Sequence, residues 1–557
     1  MDNLFIAAKC NNEGKKIVAL YERHLQIGDI DEDDTISYKH VVTQSGGDIV
    51  YSKWVKDDVF VYLTKRAHRQ VVHVLTIFET KVDNVSQEVP AILRVHDLSM
   101  WEEALWLLCS TYHQASQKTM TMLYHLDKNE MTVLHEATSN VRKAFFDWGQ
   151  RRLLLYMGQQ QNSELLFSDQ WQIVKEKEFL FPTMTCLQQQ LFGVEEIDED
   201  ETIQPVVYDL NDGRRYKLEV NYQEVSQFVV DDEGHILVSG FQRGRQCIAV
   251  FSSTGQLQIK SGQRRGVFEV VHFCFHTKMM LGVGQSTMTC PSLLYTSFSD
   301  DVPSHVNDDV LHRTFLYQQL EVPYFVVGPK DQKKAMIYLH GGPHNHVIES
   351  YSPFITMCEQ LGYTIFIVNY PGSTGFGKHY ETVLQHDWGG VDASSMVVFT
   401  DTVLTEYDEV SLYGVSYGGY LALLLAGKYP SMWTNVLAAA SFNDLRALYD
   451  GAMPYMKDYF LEVMGDMLID EEKLSDRSPV SYVQALARVN LLLIHGEEDT
   501  RCPYEQTVAL YHQLRQCNVE GGQHQLYSIP GLQHERFSER HWISACKAFL
   551  QSKSFQL

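Results

Sequence analysis

Ser416, Asp499 and His534 lie far apart in the chain, yet their types and order are those that make an alcohol nucleophilic. A serine hydroxyl attacks a carbonyl only when a neighbouring base removes its proton, and a histidine base works best when a carboxylate fixes its tautomer. Ser416 occupies Gly414-Val-Ser-Tyr-Gly-Gly419, between an apolar strand candidate at Val410–Tyr413 and a helical stretch that begins at Tyr417. A serine on so sharp a strand-to-helix turn needs glycines around it, because Cβ atoms at those positions would clash. Asp499 follows the strand candidate Asn490–His495, in Gly496-Glu-Glu-Asp-Thr-Arg-Cys-Pro503. Glu497 and Glu498 compete for the acid's role; Asp499 is preferred because the next four residues lead directly into a helix and fix its direction. His534 ends the loop Ile529-Pro-Gly-Leu-Gln-His534, whereas His524 opens a strand and His541 lies in the last helix, where structural roles are expected.

A tetrahedral intermediate also needs donors where its oxyanion develops. His340-Gly-Gly-Pro-His344 follows the strand candidate Lys334–His340, and its glycines let backbone N–H groups come close to a substrate. The expected donors are the backbone N–H groups of Tyr417 and Gly342. The chemistry so defined is acyl transfer through a covalent acyl-serine, and it requires no metal or organic cofactor.

These residues need a scaffold that brings strand ends together. From about residue 319 to 557, short apolar strands at 334–340, 364–369, 410–413, 435–440, 490–495 and 525–529 alternate with helices at 392–406, 417–428, 504–516 and 540–550. That alternation predicts a doubly wound, mostly parallel sheet of the α/β-hydrolase fold, with the chemistry in the loops at the strand C-termini. Residues 1–318 have a different texture: runs such as Asp48–Trp54, Asp58–Leu63, Val71–Phe78, Ser226–Val230, His235–Ser239 and Gln246–Phe251 are β-rich and split by polar turns. One hairpin pair in every 40 or so residues is the cadence of a propeller, and about 315 residues at about 45 per blade give seven blades most simply, with six or eight also compatible. The interval Leu98–Leu123 reads as more helical than its surroundings.

At 557 residues the chain is too long for one ordinary core, which agrees with two domains. It carries 46 Lys and Arg against 70 Asp and Glu, and a net charge of -24 repels nucleic acid and anionic membrane surfaces alike. Neither an amino-terminal leader pattern nor an apolar run long enough to span a bilayer is evident, so a cytoplasmic location is the expectation. Ten cysteines without a C-x-x-C pair suit buried, reduced thiols. Two acidic runs, 29–34 and 195–201, are expected to be solvated loops, since the first lacks the Gly and Glu that a calcium loop requires. Arg243, Arg245, Arg264 and Arg265 could draw in a peptide carboxylate if they line the propeller mouth, although exposed charges without a role are the simpler expectation.

Several words of the carboxyl-terminal half together resemble the prolyl oligopeptidase family of serine peptidases, in its acylaminoacyl-peptidase-like branch. They are His340-Gly-Gly-Pro343, Asn369 with Gly372-Ser-Thr-Gly-Phe-Gly377, Trp388-Gly389, the Ser416 segment, Arg477-Ser-Pro479, His495-Gly with Asp499-Thr-Arg-Cys-Pro503, and Pro530 four residues before His534. The resemblance implies a propeller that screens the site and admits short peptides or acyl-peptides rather than folded proteins. This chain departs from the family pattern at Pro371, where arginine is usual, at Cys502, where valine is usual, and at Gln533, where glycine is common. The same residues would also serve a small-molecule esterase or amidase or a dipeptidyl peptidase, and a noncatalytic propeller binding protein is the alternative of a different class. A homo-oligomer is left open.

Overall fold

The computed structural model describes residues 5–551 except 11–14, 22–23, 31–35, 44–47, 67–68, 91–93, 114–117, 138–140, 142, 149, 157–162, 169–170, 179–182, 188–189, 198–201, 232, 263–265, 277, 287–290, 298–309, 329–331, 453, 518–520 and 535–538. Its amino-terminal half is a propeller. Six antiparallel sheets have four strands each, built from consecutive strands between Phe5 and Lys260, and one more, Val267–Ser297, has three. Against the expected seven, six blades are therefore complete, and the remaining sheet is one strand short among the described residues.

Small apolar clusters join each sheet to the next. Val18, Leu25, Phe60 and Leu75 bind the first sheet to the second, and Val61, Val72, Leu107 and Met122 bind the second to the third. The series ends where Ile17 and Ala19 of the first sheet meet Leu281 and Val283 of the three-stranded one, which closes the ring. Inner strands are thus buried on both faces by neighbouring sheets, which explains the near-continuous apolar character of Arg152–Tyr156 and Arg245–Phe251.

The helical expectation at Leu98–Leu123 is incorrect. Strands Arg94–Trp101, Ala104–His113 and Lys118–His125 belong to the third sheet. Glu102 and Glu103, with φ of 48° and 62°, close the first pair in a two-residue hairpin. A Glu-Glu pair does not advertise such a turn. Leucines at 105 and 107 face one cluster and Leu108 the other, a period-two pattern hidden because both faces are apolar. The acidic runs also differ from the loops expected: Asp29 lies in strand His24–Ile30, paired with Lys16 at 3.3 Å and with Lys39, and Glu195 lies in strand Gln190–Ile197, paired with Arg215 and Lys217. The remainders of both runs, 31–34 and 198–201, fall outside the described residues.

The second half is one eight-stranded sheet. Its strands are β1 (Leu311–Tyr317), β2 (Leu320–Val327), β3 (Lys334–Leu339), β4 (Tyr363–Val368), β5 (Glu409–Val415), β6 (Asn435–Ala439), β7 (Asn490–Gly496) and β8 (His524–Ile529), ordered β1-β2-β4-β3-β5-β6-β7-β8. β1 and β2 run antiparallel and the rest are parallel. Because β1 begins at Leu311, the sheet starts ahead of the boundary expected at 319, and the hairpin that crosses that boundary belongs to this unit. Helices Val391–Val403, Tyr417–Lys428 and Tyr504–Gln516 cover one face, and Pro353–Gln360 and Ile543–Leu550 cover the other. Every residue of β4 is buried, as expected for a strand packed on both faces.

Candidate active site

Ser416 stands between β5 and the helix Tyr417–Lys428 with φ 57° and ψ -121°, a strained backbone for a non-glycine residue. Its amide donates to the Ala439 carbonyl at 2.8 Å, and its carbonyl accepts from Tyr420 N–H at 3.0 Å. The turn can be this tight only because of its glycines. A Cβ on Gly414 would run into the Gly418 backbone, and one on Gly418 into the Leu339 carbonyl oxygen. Sequence and geometry therefore agree on why this segment folds as an elbow and lifts the hydroxyl above the sheet.

The other two predicted side chains converge on that hydroxyl. His534 Nε2 lies 3.1 Å from Ser416 Oγ, and its Nδ1 lies 2.7 Å from Asp499 Oδ2. Asp499 is buried in the loop after β7 and accepts the Arg501 and Cys502 N–H groups at 3.0 and 2.9 Å. Burial works to raise its pKa, but hydrogen bonds from His495 and His534 outweigh burial and bring it down to about 2, so the group is an anion at neutral pH. For His534, burial disfavours the charged ring, while Cys502 and Asp499 favour it; the net direction is upward from the ordinary imidazole value. The rival carboxylates do not reach the ring: Glu497 is exposed, and Glu498 accepts instead from Gln533 at 3.3 Å. His524 and His541 are not brought to the site either; the former is half-buried in β8 and the latter lies in a short turn at Glu539–His541.

Of the expected oxyanion donors, Tyr417 directly follows Ser416, and Gly342 lies in the loop whose Gly341 packs against Ser416. Tyr417 is the first residue of its helix, so its N–H has no intrahelical acceptor. The Gly341 backbone is pressed against Val415 and Ser416, with room for a Cβ only 3.3 Å from that of Ser416, and Gly342 follows with φ 138°. The loop beyond β3 is tied to the propeller: His346 lies 3.2 Å from Glu224 and edge-to-face with Phe241, Glu349 accepts from the Gly266 N–H at 2.7 Å, and Gln285 accepts from the Tyr351 N–H at 3.2 Å. The loop that carries Gly342 thus bridges the propeller and the Ser416 turn.

Three features escaped sequence reasoning. Tyr417 donates through its hydroxyl to Asp392 at 2.8 Å; Asp392 is completely buried and its other oxygen is unpartnered, and burial raises its pKa to about 6. His495 backs the acid loop, lying 3.3 Å from Asp499 and bonded to Thr507 at 2.8 Å and to the Cys502 carbonyl at 2.9 Å. Cys502 Sγ lies 4.0 Å from Ser416 Oγ, so the departure from valine at that position is inside the site itself. Pro371, a second departure, starts a tight turn in which Ser373 N–H donates to the Tyr370 carbonyl at 3.0 Å and Gly372 takes φ 105°, a conformation suited to Pro-Gly. Among the described residues, no group of three His, Cys, Asp or Glu could hold a metal ion. Arg243 and Arg245 line a cavity between the domains; Arg264 and Arg265 lie outside the described residues.

A strained serine elbow on a parallel sheet, hydrogen-bonded in series to a histidine and a buried aspartate, defines the class of α/β-hydrolases. The comparison with known sequences narrows this further: residues 349–555 match the prolyl oligopeptidase family model. The acylamino-acid-releasing enzyme of Mus musculus is 31% identical over 205 residues, which are 34% of this chain and 27% of that protein. The Homo sapiens enzyme of the same name is 30% identical over 207 residues, with the same shares. The matched segment thus spans about a quarter of those relatives' length. Solved structures align over the whole chain. A Mycobacterium tuberculosis puromycin-hydrolyzing peptidase superposes with TM-score 0.75 at 15% identity, covering 100% of this chain and 95% of that one. A Pyrococcus horikoshii acylaminoacyl peptidase superposes with TM-score 0.71 at 14% identity, covering 100% and 97%. At such identities the likeness is one of fold, and it extends through the propeller.

Proposed function

We propose that this protein is a serine peptidase that hydrolyses short peptides or acyl-peptides, with Ser416 as nucleophile, His534 as general base and Asp499 as the group that orients it. The observation that carries this reading is the continuous Ser416–His534–Asp499 hydrogen-bond chain beneath the strained elbow. His534 takes the hydroxyl proton as Ser416 Oγ attacks the substrate carbonyl, and the oxyanion forms against the N–H groups of Tyr417 and Gly342. The imidazolium then protonates the leaving amine, Asp499 stabilises the positive ring, and water repeats the sequence on the acyl-serine. In this reading the three-stranded sheet counts as a seventh blade, since it packs on both the sixth and the first. The propeller restricts access to peptides small enough to reach the space between the domains, and the expected setting is the cytosol, in keeping with free cysteines among the described residues.

Three substrates distinguish the chemistries that this site can perform: an acyl-alanine anilide, a Gly-Pro anilide and nitrophenyl acetate. Release of aniline from the acyl-alanine compound, lost in Ser416→Ala, is the expected result. Turnover of the acetate ester alone would replace the peptidase by an esterase, and preference for the Gly-Pro anilide would replace it by a dipeptidyl peptidase.

A further inference from the structure

We propose that the cavity between the propeller and the antiparallel edge of the hydrolase sheet is a binding site for a carboxylate-bearing ligand, gripped by Arg243 from one domain and Arg313 from the other. The cavity has a volume of about 500 Å³, and a second one of about 340 Å³ shares Gln223 and His379 with it, so the cleft is long enough for an extended ligand. Arg243 stands at the tip of the turn between strands Ile236–Gln242 and Arg245–Phe251. Its backbone takes φ 52° and its N–H donates to Gln223 Oε1 at 2.5 Å. The next residue, Gly244, faces the rings of Phe325 and Phe376, where a Cβ would make ordinary contact, so the turn lies against the hydrolase domain with Arg243 lining the cleft. Arg313 comes from β1 on the facing wall, and its guanidinium donates to the His312 carbonyl at 3.3 Å.

Charge argues for the ligand's class. In a chain with net charge -24, the larger cavity collects Arg243, Arg245 and Arg313 against one lining carboxylate, Glu321, and the smaller adds Lys378 and Glu381. Arg245 is partly accounted for, because its field acts on the buried Glu349. Arg243 and Arg313 form no ion pair among the described residues. Two guanidinium groups that line one cavity without an ion-pair partner among the described residues suit a carboxylate, which can accept two parallel N–H bonds from a planar fork. Phe376 and Tyr380 complete an apolar wall for the carbon skeleton. The loop that bears Phe376 also contacts the Gly342 segment, through Thr374 N–H to the Asn345 carbonyl at 3.1 Å, so a ligand here lies beside the catalytic machinery rather than in it. The carboxylate could be delivered by an acidic peptide substrate, which rests on the peptidase reading, or by a free small polycarboxylate, which does not.

The test uses the full chain carrying Ser416→Ala, so that nothing is cleaved. Titration calorimetry at low salt compares an acetylated hexapeptide ending in two glutamates and a free carboxylate with its glutamine, carboxamide counterpart; citrate forms a separate arm. The acidic peptide is expected to bind at least tenfold more tightly than the neutral one, and Arg243→Gln with Arg313→Gln in the same background is expected to erase the ratio. Circular dichroism matching the parent keeps misfolding out of the comparison. Citrate binding that the double substitution removes, without a peptide preference, assigns the site to a free small anion, whereas a peptide preference without citrate binding assigns it to the substrate chain. Equal affinity for both peptides together with no citrate binding overturns the proposal, and so does any preference that survives the double substitution. Failure of the peptidase reading shows separately, as absent anilide hydrolysis in the chain with Ser416 intact.

Discussion

The two halves of this molecule bury their apolar surface in opposite ways. The propeller distributes it among small clusters, each shared by two adjacent sheets, such as Val18, Phe60 and Leu75 between the first and second. The hydrolase unit concentrates it in two large clusters on the two faces of one sheet, and the strand ends that emerge from this core carry Ser416, Asp499 and His534. A ring of repeated sheets tolerates local change because each interface involves only two neighbours. A single sheet does not, because the 3.1 Å and 2.7 Å contacts depend on three strand ends held in mutual register.

The largest effect expected from this contrast is chemical. Ser416→Ala should lower hydrolysis of the responsive anilide by about 10⁴-fold or more while leaving thermal stability near that of the parent, as read by steady-state rates and a melting curve. Next is a change confined to the ring: Phe60→Ala opens a cavity between the first two sheets and should destabilise the propeller by about 3–5 kcal/mol, measurable by denaturant unfolding, with the remaining folded molecules retaining kcat. Equal loss of kcat in the folded fraction would mean that the propeller is less modular than its clusters suggest. Gly418→Ala is the matching change at the elbow. The added methyl meets the Leu339 carbonyl, so kcat should fall steeply for an expected stability loss of about 1–3 kcal/mol.

Acidity gives a subtler contrast. The base must be neutral to accept a proton, and His534 has a pKa raised above the ordinary 6.5, so kcat/KM should climb with pH to a midpoint above that value. Stability follows the opposite sign, because the protonated ring is favoured in the folded state: His534's contribution is fully present below about 6.5 and is lost as pH rises through its folded value. The smallest expected effect is that of Cys502→Val, which removes the thiol beside Ser416 and His534. The acid limb should move down toward the ordinary imidazole value, with stability changed by less than about 1.5 kcal/mol, as checked by a pH–rate profile of the variant.

Legibility followed the same division. In the hydrolase half, short apolar strands alternating with helices can be satisfied by few arrangements, and helices 417–428 and 504–516 match their expected limits. The serine elbow was readable because only glycine fits at 414 and 418, a constraint written in residue type. Position in the loop also separates Asp499 from Glu497 and Glu498, and the geometry gives Asp499 and Glu498 distinct partners. What sequence could not supply were contacts made by ordinary residues across long separations: Tyr417 with Asp392, and His495 behind Asp499. Nothing in a lone Asp or His marks such a partner. In the propeller, strands buried on both faces lose the alternation that separates strand from helix, which is why Leu98–Leu123 misled.

The central claim is that Ser416 is made nucleophilic by its geometry, and active-site labelling tests it most directly. A fluorophosphonate probe incubated with the full chain should modify one residue, mapped by peptide mass spectrometry to Ser416, and should fail to label Ser416→Ala. An intact, folded parent that takes up no probe, or an adduct mapped to another residue, would contradict the account.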